Sequence, residues 1–551
     1  MARQTTTPVQ FNLSTRPDDA VCMTSGRAGV VLPVDFIPLL PGDSCSGRMG
    51  LDLQLAEMPK PLLNAVFANV QAWFVPKSAH PQFSGRDELN HAFTGQVIKS
   101  LGQADRTPPP YFNALTGTAR TQAMASPFMV ALGLHAPGVA PSKINTDLID
   151  AYNLVYNFRL AAHSSRLPRR KYAVEDLAAS TTLAAAFWPS SRFARVVPDY
   201  ERALIVGSLD LDVAAGRLPI SGIGKQNTTI VSTNVGVKET AGDATYARAS
   251  AADTGTVNTA YFLRQQSNGY PDLWAEMAGQ SVSVTLADID KARTTQAFAK
   301  LRTAYAGNDA TGFDNDDTLV SMLMRGLSVP DDQFKRPWLL DSARVPVGFA
   351  ERPATDGANL DKSVTTGRAS VTLSLNVPEQ DVGGVILITV EVLPERIDER
   401  QSDEWLYATT VDELPNALRD VQRTEPVDMV LKRRIDARHT DPHGLYGYEP
   451  MNDKWRRDFT RLGGVFYMAT PGGGWTENRS AIWQTEIVDP AFTATHYLAP
   501  QPFPHDVFAD QLADAFECVC RHSVRITGLT QIGDVLAENN DDYDAVRDGD
   551  G

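Results

Sequence analysis

The sequence predicts a mainly β fold, a jelly roll with long inserted connections and a few helices. Alternating apolar and polar residues mark strands before residue 76 and again after residue 368. Between these regions the pattern changes to helical periodicity and to long polar loops. A parallel α/β sheet would need strands and helices in alternation along the whole chain, and this chain lacks that alternation. Strands at both ends with long connections between them fit a jelly roll.

Two strands and a turn are predicted near the N-terminus. Met49, Leu51, Leu53 and Leu55 alternate with polar or small residues, which is typical of a half-buried strand. Residues 66–75 also alternate, and large aromatic side chains on both sides indicate that both faces are covered. Pro41–Asp43 has turn chemistry, because Pro presets φ, Gly accepts a positive φ and Asp bonds to nearby backbone.

A helix is predicted over residues 147–162, where an apolar stripe recurs at helical spacing. We expect Thr146 to cap it, and Asp147 and Asp150 suit the positive end of the helix dipole. A second helix is predicted from Thr285 through Tyr305. Both helices belong to the connection between the two strand-rich parts.

Strands return in the C-terminal half. Residues 369–377 alternate, residues 385–393 form a continuous β-branched run, and Glu379–Gly384 is predicted to join them as a hairpin. The last strand is predicted over Cys518–Ile526, and the acidic residues 534–551 are predicted to form a weakly docked tail.

Composition excludes several classes of protein. The chain has 551 residues and a formal net charge of −15, which argues against a protein that binds polyanions over its whole surface. Its four cysteines do not make a disulfide framework, so a reducing compartment is the simplest interpretation. The N-terminus does not resemble a secretory signal, and the sequence contains no apolar run of the roughly 18–20 residues that a membrane-spanning helix needs.

Two basic groups are the candidates for contact with nucleic acid. The first comprises Arg166, Arg169, Arg170 and Lys171, and the second comprises Lys432, Arg433 and Arg434. Lys and Arg near aromatic rings such as Tyr172 can hold phosphates and stack unpaired bases without sequence preference. The alternative is that these side chains form salt bridges or a solvated face.

His439, Asp441 and His443 are the best metal candidate, since imidazole and carboxylate at alternate positions could share one side of an extended segment. Three ligands within five residues and no fourth make a weak pattern, so a polar turn at Asp-Pro is the favoured interpretation. The acid pairs are adjacent in sequence and give no support to general acid–base catalysis. We therefore predict no catalytic residues, no metal site and no cofactor.

Several segments resemble the major capsid proteins of Microviridae, the small tailless single-stranded DNA phages. The resemblance rests on short segments in a shared order, which are LPVDFIPLLPGDSCSGRM (32–49), NAVFANVQAWFVP (64–76), AYNLVYNFR (151–159), AFWPSSRFARVVPDYERAL (186–204), KRPWLLDSARVPV (335–347), GGVILITVEVLPE (383–395) and GYEPMNDKWRRDF (447–459). Residues 209–280 do not match and fall where related phages carry a variable surface insertion. The acidic tail also departs from the family.

The resemblance implies an eight-stranded antiparallel jelly roll and a T=1 icosahedral shell around circular single-stranded DNA, assembled in the bacterial cytoplasm and found in the virion. The core strands are expected in roughly 20–130 and 335–530, with a helical and loop connection over 131–334. Implied partners are copies of the chain, the genome, a small basic internal DNA-binding protein and a minor pilot protein. A host surface receptor is a further expectation, and membrane insertion is not expected.

Two other classes of protein remain open. A jelly-roll carbohydrate-binding protein, similar to a lectin, would stay a monomer or a small oligomer and would bind a sugar through its loops. A metal-dependent cupin built around His439 and His443 would be an enzyme. Assembly state separates the first from a coat protein, and metal content tests the second.

Overall fold

The computed structural model describes residues 11–80, 83, 111–135, 142–164, 167–188, 195–198, 317–328, 335–353, 363–397, 403–423, 427–456, 462, 482–483 and 489–533, together with four short strands between residues 210 and 283. The chain divides into two compact units, one formed by Met1–Tyr200 with Thr303–Gly551 and the other by Glu201–Arg302.

The fold is mainly β, and the strand pairs in the described part of the chain are antiparallel. The strands of these residues, in chain order, are β1 (Ser14–Gly26), β2 (Val30–Leu39), β3 (Asp43–Leu55), β4 (Val66–Pro76), β5 (Ala114–Thr116), β6 (Lys143–Asn145), β7 (Ala184–Ala185), β8 (Asp210–Asp212), β9 (Arg217–Pro219), β10 (Trp274–Glu276), β11 (Ser281–Ser283), β12 (Trp338–Pro346), β13 (Gly348–Pro353), β14 (Ser363–Gln380), β15 (Gly384–Pro394), β16 (Val427–Leu431), β17 (Leu445–Pro450) and β18 (Phe516–Gly528).

The helices are short except for one. Those of the described residues are α1 (Gly117–Met124), α2 (Pro127–Ala131), α3 (Asp147–His163), α4 (Leu177–Ser180), α5 (Asp317–Met324), α6 (Ala417–Gln422) and α7 (Lys432–Ile435). Single 3₁₀ turns cover Lys77–Ala79, Glu404–Tyr407, Val411–Glu413, Asp453–Trp455 and Ala494–His496. None of the helices in this part of the chain has the length and apolar character needed to span a membrane.

The first unit contains two five-stranded sheets. Sheet A has the strand order β1-β18-β3-β14-β13, and sheet B has the order β12-β4-β15-β2-β7. Four antiparallel pairs are nested within one another along the chain: β1 with β18, β2 with β15, β3 with β14, and β4 with β12. Each successive pair lies in the other sheet, so β1–β18 and β3–β14 belong to sheet A and β2–β15 and β4–β12 belong to sheet B. The nested pairs are joined side by side by β18 with β3 in sheet A and by β15 with β4 in sheet B.

The two sheets share one apolar core. Sheet A contributes alternate residues such as Met49, Leu51 and Leu373, while sheet B contributes residues such as Val70 and Ile386. The other face of sheet A is exposed, and the residues of its strands therefore alternate between buried and exposed. The other face of sheet B is covered by α3, and β15 is therefore buried along nearly its whole length.

The strand predictions near the termini are confirmed. The alternating segments 49–55, 66–75 and 518–526 lie within β3, β4 and β18. The predicted turn at Pro41–Asp43 joins β2 to β3, with Gly42 at φ +86°. The Asp43 carboxylate accepts a hydrogen bond from the backbone N–H of Leu40 at 2.7 Å, as the turn chemistry requires.

The helix prediction is confirmed, but its cap is different. Helix α3 covers Asp147–His163, and Thr146 stands at the N-cap position without accepting a hydrogen bond from the helix. Its hydroxyl instead donates to the Asp150 carboxylate at 2.6 Å. The prediction of a Thr146 side-chain cap is therefore wrong, because the buried Asp150 carboxylate takes the hydroxyl as a donor.

The predicted hairpin between β14 and β15 is wrong. The two strands belong to different sheets, β14 pairing with β3 and β15 pairing with β2 and β4. The chain crosses from one sheet to the other at Asp381–Gly383, after a register irregularity between Val377 and Gln380. Gly383 has φ +71°, which a residue with a side chain rarely adopts.

In the second unit the structure describes four short strands. Strand β8 pairs with β11, and β9 pairs with β10, so two nested antiparallel ladders join the two ends of the segment. The predicted insertion 209–280 falls in this unit, and most of it lies outside the described residues. The predicted helix from Thr285 through Tyr305 and the acidic tail 534–551 also lie outside them.

Candidate nucleic-acid interface

The first predicted basic group lies in the loop between α3 and α4. Arg166 is outside the described residues. Arg169 forms an ion pair with Glu175 at 2.9 Å, and Lys171 forms one with Asp176 at 3.3 Å. All four of these side chains are at least partly exposed, so the pairs are open to competition from solvent and salt.

Arg170 differs from its neighbours because its donors are used inside the subunit. Its Nε donates to the side-chain oxygen of Asn153 on α3 at 2.7 Å. One terminal nitrogen donates to the carbonyl oxygens of Thr182 at 2.6 Å and Ala179 at 3.0 Å. The guanidinium thus fastens the chain around α4 to α3, which makes Arg170 a structural residue in this arrangement.

The second predicted group lies at α7 and is also ion-paired. Lys432 contacts Asp441 at 3.0 Å. The Arg433 guanidinium lies over the Tyr407 ring, 4.8 Å from its centroid. Arg434 is buried and forms an ion pair with Glu449, with Glu404 a further 3.6 Å contact. Lys432 and Arg434 therefore contact acids on three different segments, although they are close together in the sequence.

The metal candidate folds as a turn. The segment after α7 turns at residues 437–444, as the favoured interpretation predicted. The backbone N–H of Asp441 donates to His439 Nδ1 at 2.9 Å, while the Asp441 carboxylate binds Lys432. The hydrogen bond from Lys432 lowers the pKa of Asp441. Within the part of the chain that the structure describes, His, Cys, Asp and Glu side chains form no group of three that could hold a metal ion.

A pocket of about 210 Å³, which sequence reasoning did not predict, lies on the α3 side of sheet B. The ion pair between Arg159 of α3 and the buried Glu391 of β15 lies at its floor, and Asn69 donates to the same carboxylate at 3.0 Å. The Arg159 guanidinium lies 4.3 Å from the centroid of the Phe187 ring, and that of Arg344 lies 4.0 Å from the Phe67 ring.

The pocket has little positive charge left for a ligand. Glu391 neutralises Arg159, so Arg344 at the rim is the cation best placed to meet an anion. His163 also lines the pocket, stacked on Phe187 at 5.0 Å. Burial, with the charge of Arg159, lowers the pKa of His163, which keeps the imidazole neutral near pH 7.

A second surface that sequence reasoning missed is apolar. The segment 403–423, here called the apolar segment, exposes large side chains to solvent: Trp405 at 59%, Leu406 at 76%, Val411 at 81%, Leu418 at 81% and Val421 at 86%. Polar contacts hold its backbone in place, among them the hydrogen bonds from Arg419 to the Leu414 carbonyl at 2.6 Å and from Asn452 to Asp420 at 2.8 Å. A cluster of exposed apolar side chains on an ordered backbone indicates an interaction surface.

Neither a protein-family model nor a curated protein matches this sequence.

Proposed function

We propose that this chain is a viral major capsid protein of the microvirus type, which self-assembles into a T=1 icosahedral shell around a circular single-stranded DNA genome. In this proposal the protein catalyses no reaction and needs no cofactor. The observation that carries it is the nested strand pairing of the first unit, taken together with the family resemblance of the segments that form those strands.

Nested pairing supports an eight-stranded jelly roll. A jelly roll arises when one long antiparallel ribbon is folded over so that the first strand pairs with the last, the second with the seventh, and so on inward. The strands β1, β2, β3, β4, β12, β14, β15 and β18 pair in that way. In the proposed fold β7 and β13 are additional edge strands.

A closed shell also needs surfaces through which one subunit contacts several others. Contacts of this kind are heterologous and must close into rings around symmetry axes. The apolar segment supports the proposal because its exposed side chains would be buried against a neighbouring copy of the chain.

Jelly rolls also occur in lectins and cupins, so the fold by itself does not select a coat protein. A monomeric sugar-binding protein would have no use for a group of apolar side chains that are 59–86% exposed. That surface favours self-association over the carbohydrate-binding alternative. The remaining partners, which are a small basic internal protein, a pilot protein and a host receptor, belong to the same proposal.

Sedimentation and negative-stain electron microscopy test the proposal directly. The full chain is expressed together with its neighbouring genes, because coat proteins of this type rely on helper proteins. We expect uniform icosahedral particles that sediment far ahead of a 60.0 kDa subunit. A stable monomer or small oligomer under every assembly condition, together with binding to a glycan array, would instead establish the carbohydrate-binding alternative.

A further inference from the structure

The exposed face of sheet A brings together three arginines from two strands. Arg521 and Arg525 lie on β18, two residues to either side of Ser523, and Ser523 is paired with Arg48 of β3. All four side chains are exposed and point away from the core. Diagonal neighbours on one face of an antiparallel pair lie roughly 7–8 Å apart. The three guanidinium groups therefore surround one small hydroxyl residue.

Polar side chains surround this arginine group on the neighbouring strands. Ser46 is paired with both Arg525 and Asn376, and Ser374 is paired with Arg48. The Ser46 hydroxyl and the Asn376 side-chain oxygen are 3.0 Å apart. Hydroxyl and amide groups of this kind hydrogen-bond to phosphate and sugar oxygens in nucleic-acid complexes. The face thus combines positive charge with neutral hydrogen-bonding groups.

The arginine group is less neutralised than the two basic groups predicted from the sequence. Arg521 contacts Asp52 at 3.5 Å, with both side chains more than 60% exposed. Among the described residues, Arg48 and Arg525 make no ion pair or hydrogen bond. Two further acids lie nearby: Asp19 of β1 is paired with Ser523 on the side of β18 away from Arg48, and the Asp341 carboxylate accepts a hydrogen bond from the backbone N–H of Ser374 at 2.8 Å. Arg48 and Arg525 are therefore available to an anionic partner, and Arg521 can exchange its exposed pair with Asp52 for a phosphate.

We infer that the exposed face of sheet A binds the phosphate backbone of the packaged single-stranded DNA through Arg48, Arg521 and Arg525, and that this face lines the interior of the shell. The inference rests on the proposed function and adds to it which face of the subunit meets the genome. Guanidinium groups bind phosphate oxygens through paired N–H donors, and several of them on a flat surface contact successive phosphates without reading the bases. The pocket on sheet B, with one available cation, suits this role less well.

Salt-dependent binding of DNA tests the contact. The purified full chain is titrated with a fluorescein-labelled oligothymidylate of about 30 nucleotides, and the binding constant is measured over a series of salt concentrations. In the variant Arg48→Gln/Arg521→Gln/Arg525→Gln we expect weaker binding and a slope of log K against log salt that is smaller by about 2, since each lost phosphate contact removes about 0.7. An unchanged slope overturns the inference.

A matched variant distinguishes the loss of the arginine group from an equal loss of positive charge elsewhere on the protein. Arg325→Gln/Arg336→Gln/Arg456→Gln also removes three exposed arginines, all of which lie outside sheet A. We expect this variant to keep the slope of the unmodified protein. An equal fall in both triple variants means that net charge alone governs binding and also overturns the inference.

A second measurement reports on the particle and remains informative if the triple variant fails to fold. Ser523→Cys introduces a thiol into the arginine group, whereas the four native cysteines are buried or half-buried. Intact particles are treated with a maleimide attached to a large polymer, with unsubstituted particles as the background. We expect labelling only after the particles are disrupted. Labelling of intact particles overturns the interior placement, while failure of the unsubstituted protein to form particles counts against the proposed function instead.

Discussion

His522 links the two sheets within the core. Its Nδ1 lies 2.6 Å from the carboxylate of Asp35 on β2, and its Nε2 lies 3.3 Å from that of Asp18 on β1. The imidazole can donate to both carboxylates only when both nitrogens carry a proton. Burial lowers the pKa of His522, but the hydrogen bonds and charges of Asp35 and Asp18 outweigh it, so that the pKa is raised overall.

The raised pKa predicts that the protein loses stability as the pH rises. A group whose pKa is higher in the folded state than in the unfolded state adds to the free energy of unfolding. This contribution is complete below the unfolded-state pKa, about 6.5 for His, and disappears as the pH rises through the folded-state pKa. Urea unfolding of the full chain between about pH 6 and about pH 9 should show this loss, and His522→Asn should remove most of it. The exposed His443→Asn is the control and should retain the pH dependence of the unsubstituted protein.

Arg170 gives a second prediction at this scale. Because its guanidinium bonds to Asn153 and to carbonyl groups around α4, Arg170→Ala should lower the free energy of unfolding by about 1.5–3 kcal/mol. The exposed neighbour Arg169→Ala should change it by no more than about 0.5 kcal/mol. Thermal unfolding compares the two. Equal effects would show that Arg170 does not fasten α4 to α3, and a packaging defect in Arg170→Ala should be judged against its stability.

The basic residues show which binding surfaces can be predicted from the sequence. A run of cations such as Lys432–Arg434 is easy to find in a sequence, but its ion-pair partners Glu449 and Asp441 depend on the fold. The period-2 patterns of β3 and β18 predict that Arg48 and Arg525 point away from the core. Their proximity depends on strand register, and β18 follows β3 by more than 450 residues. A single sequence does not specify a register over that separation.

At the scale of elements, the attachment of α3 to sheet B depends on a buried ion pair. Lys77, directly after β4, donates to the carboxylate of Asp147 in the first turn of α3 at 2.6 Å. The Lys77 ammonium also lies over the rings of Tyr111 and Phe112, at 4.6 and 4.7 Å from their centroids. The Lys77 side chain is 2% exposed, so solvent screens the pair very little.

Removing one partner of this pair should destabilise the protein strongly. Lys77→Met leaves Asp147 buried without its cation and should lower the free energy of unfolding by about 3–5 kcal/mol. The double variant Lys77→Met/Asp147→Leu should recover most of that loss, since neither charge is then left unpaired. Urea unfolding monitored by tryptophan fluorescence measures both. A double variant that is as unstable as the single one would contradict this account.

Local pattern predicted the elements better than it predicted their connections. Helix α3 was evident from its helical period, and strand β15 was evident as a continuous β-branched run. The hairpin prediction at Glu379–Gly384 failed because a short Gly-containing link between two strands fits a turn within one sheet as well as a crossing between two. Here β14 pairs with β3 in one sheet and β15 pairs with β2 and β4 in the other, since β14 buries one face and β15 buries two.

At the scale of the whole molecule, the two sheets separate the residues that stabilise the fold from the surfaces that are available to partners. The shared core and the covered face of sheet B supply stability, and the strands there tolerate few polar residues. In the described part of the first unit, the exposed face of sheet A and the apolar segment are surfaces available to partners. A coat subunit needs one surface for the genome and others for its neighbours, which is the arrangement we propose.

The apolar segment gives the prediction that separates assembly from folding. In Leu418→Asp/Val421→Asp two side chains that are 81% and 86% exposed become charged, so the isolated subunit should unfold at nearly the same urea concentration as before. Burying two unpaired carboxylates against a neighbouring copy is costly, and the variant should therefore form no particles by electron microscopy. Leu512→Asp, at a side chain that is 89% exposed but outside the segment, is the control and should still assemble. Normal particles from the double variant would mean that subunits meet through other surfaces, and a lower stability of the free subunit would mean that these leucine and valine side chains support the fold itself.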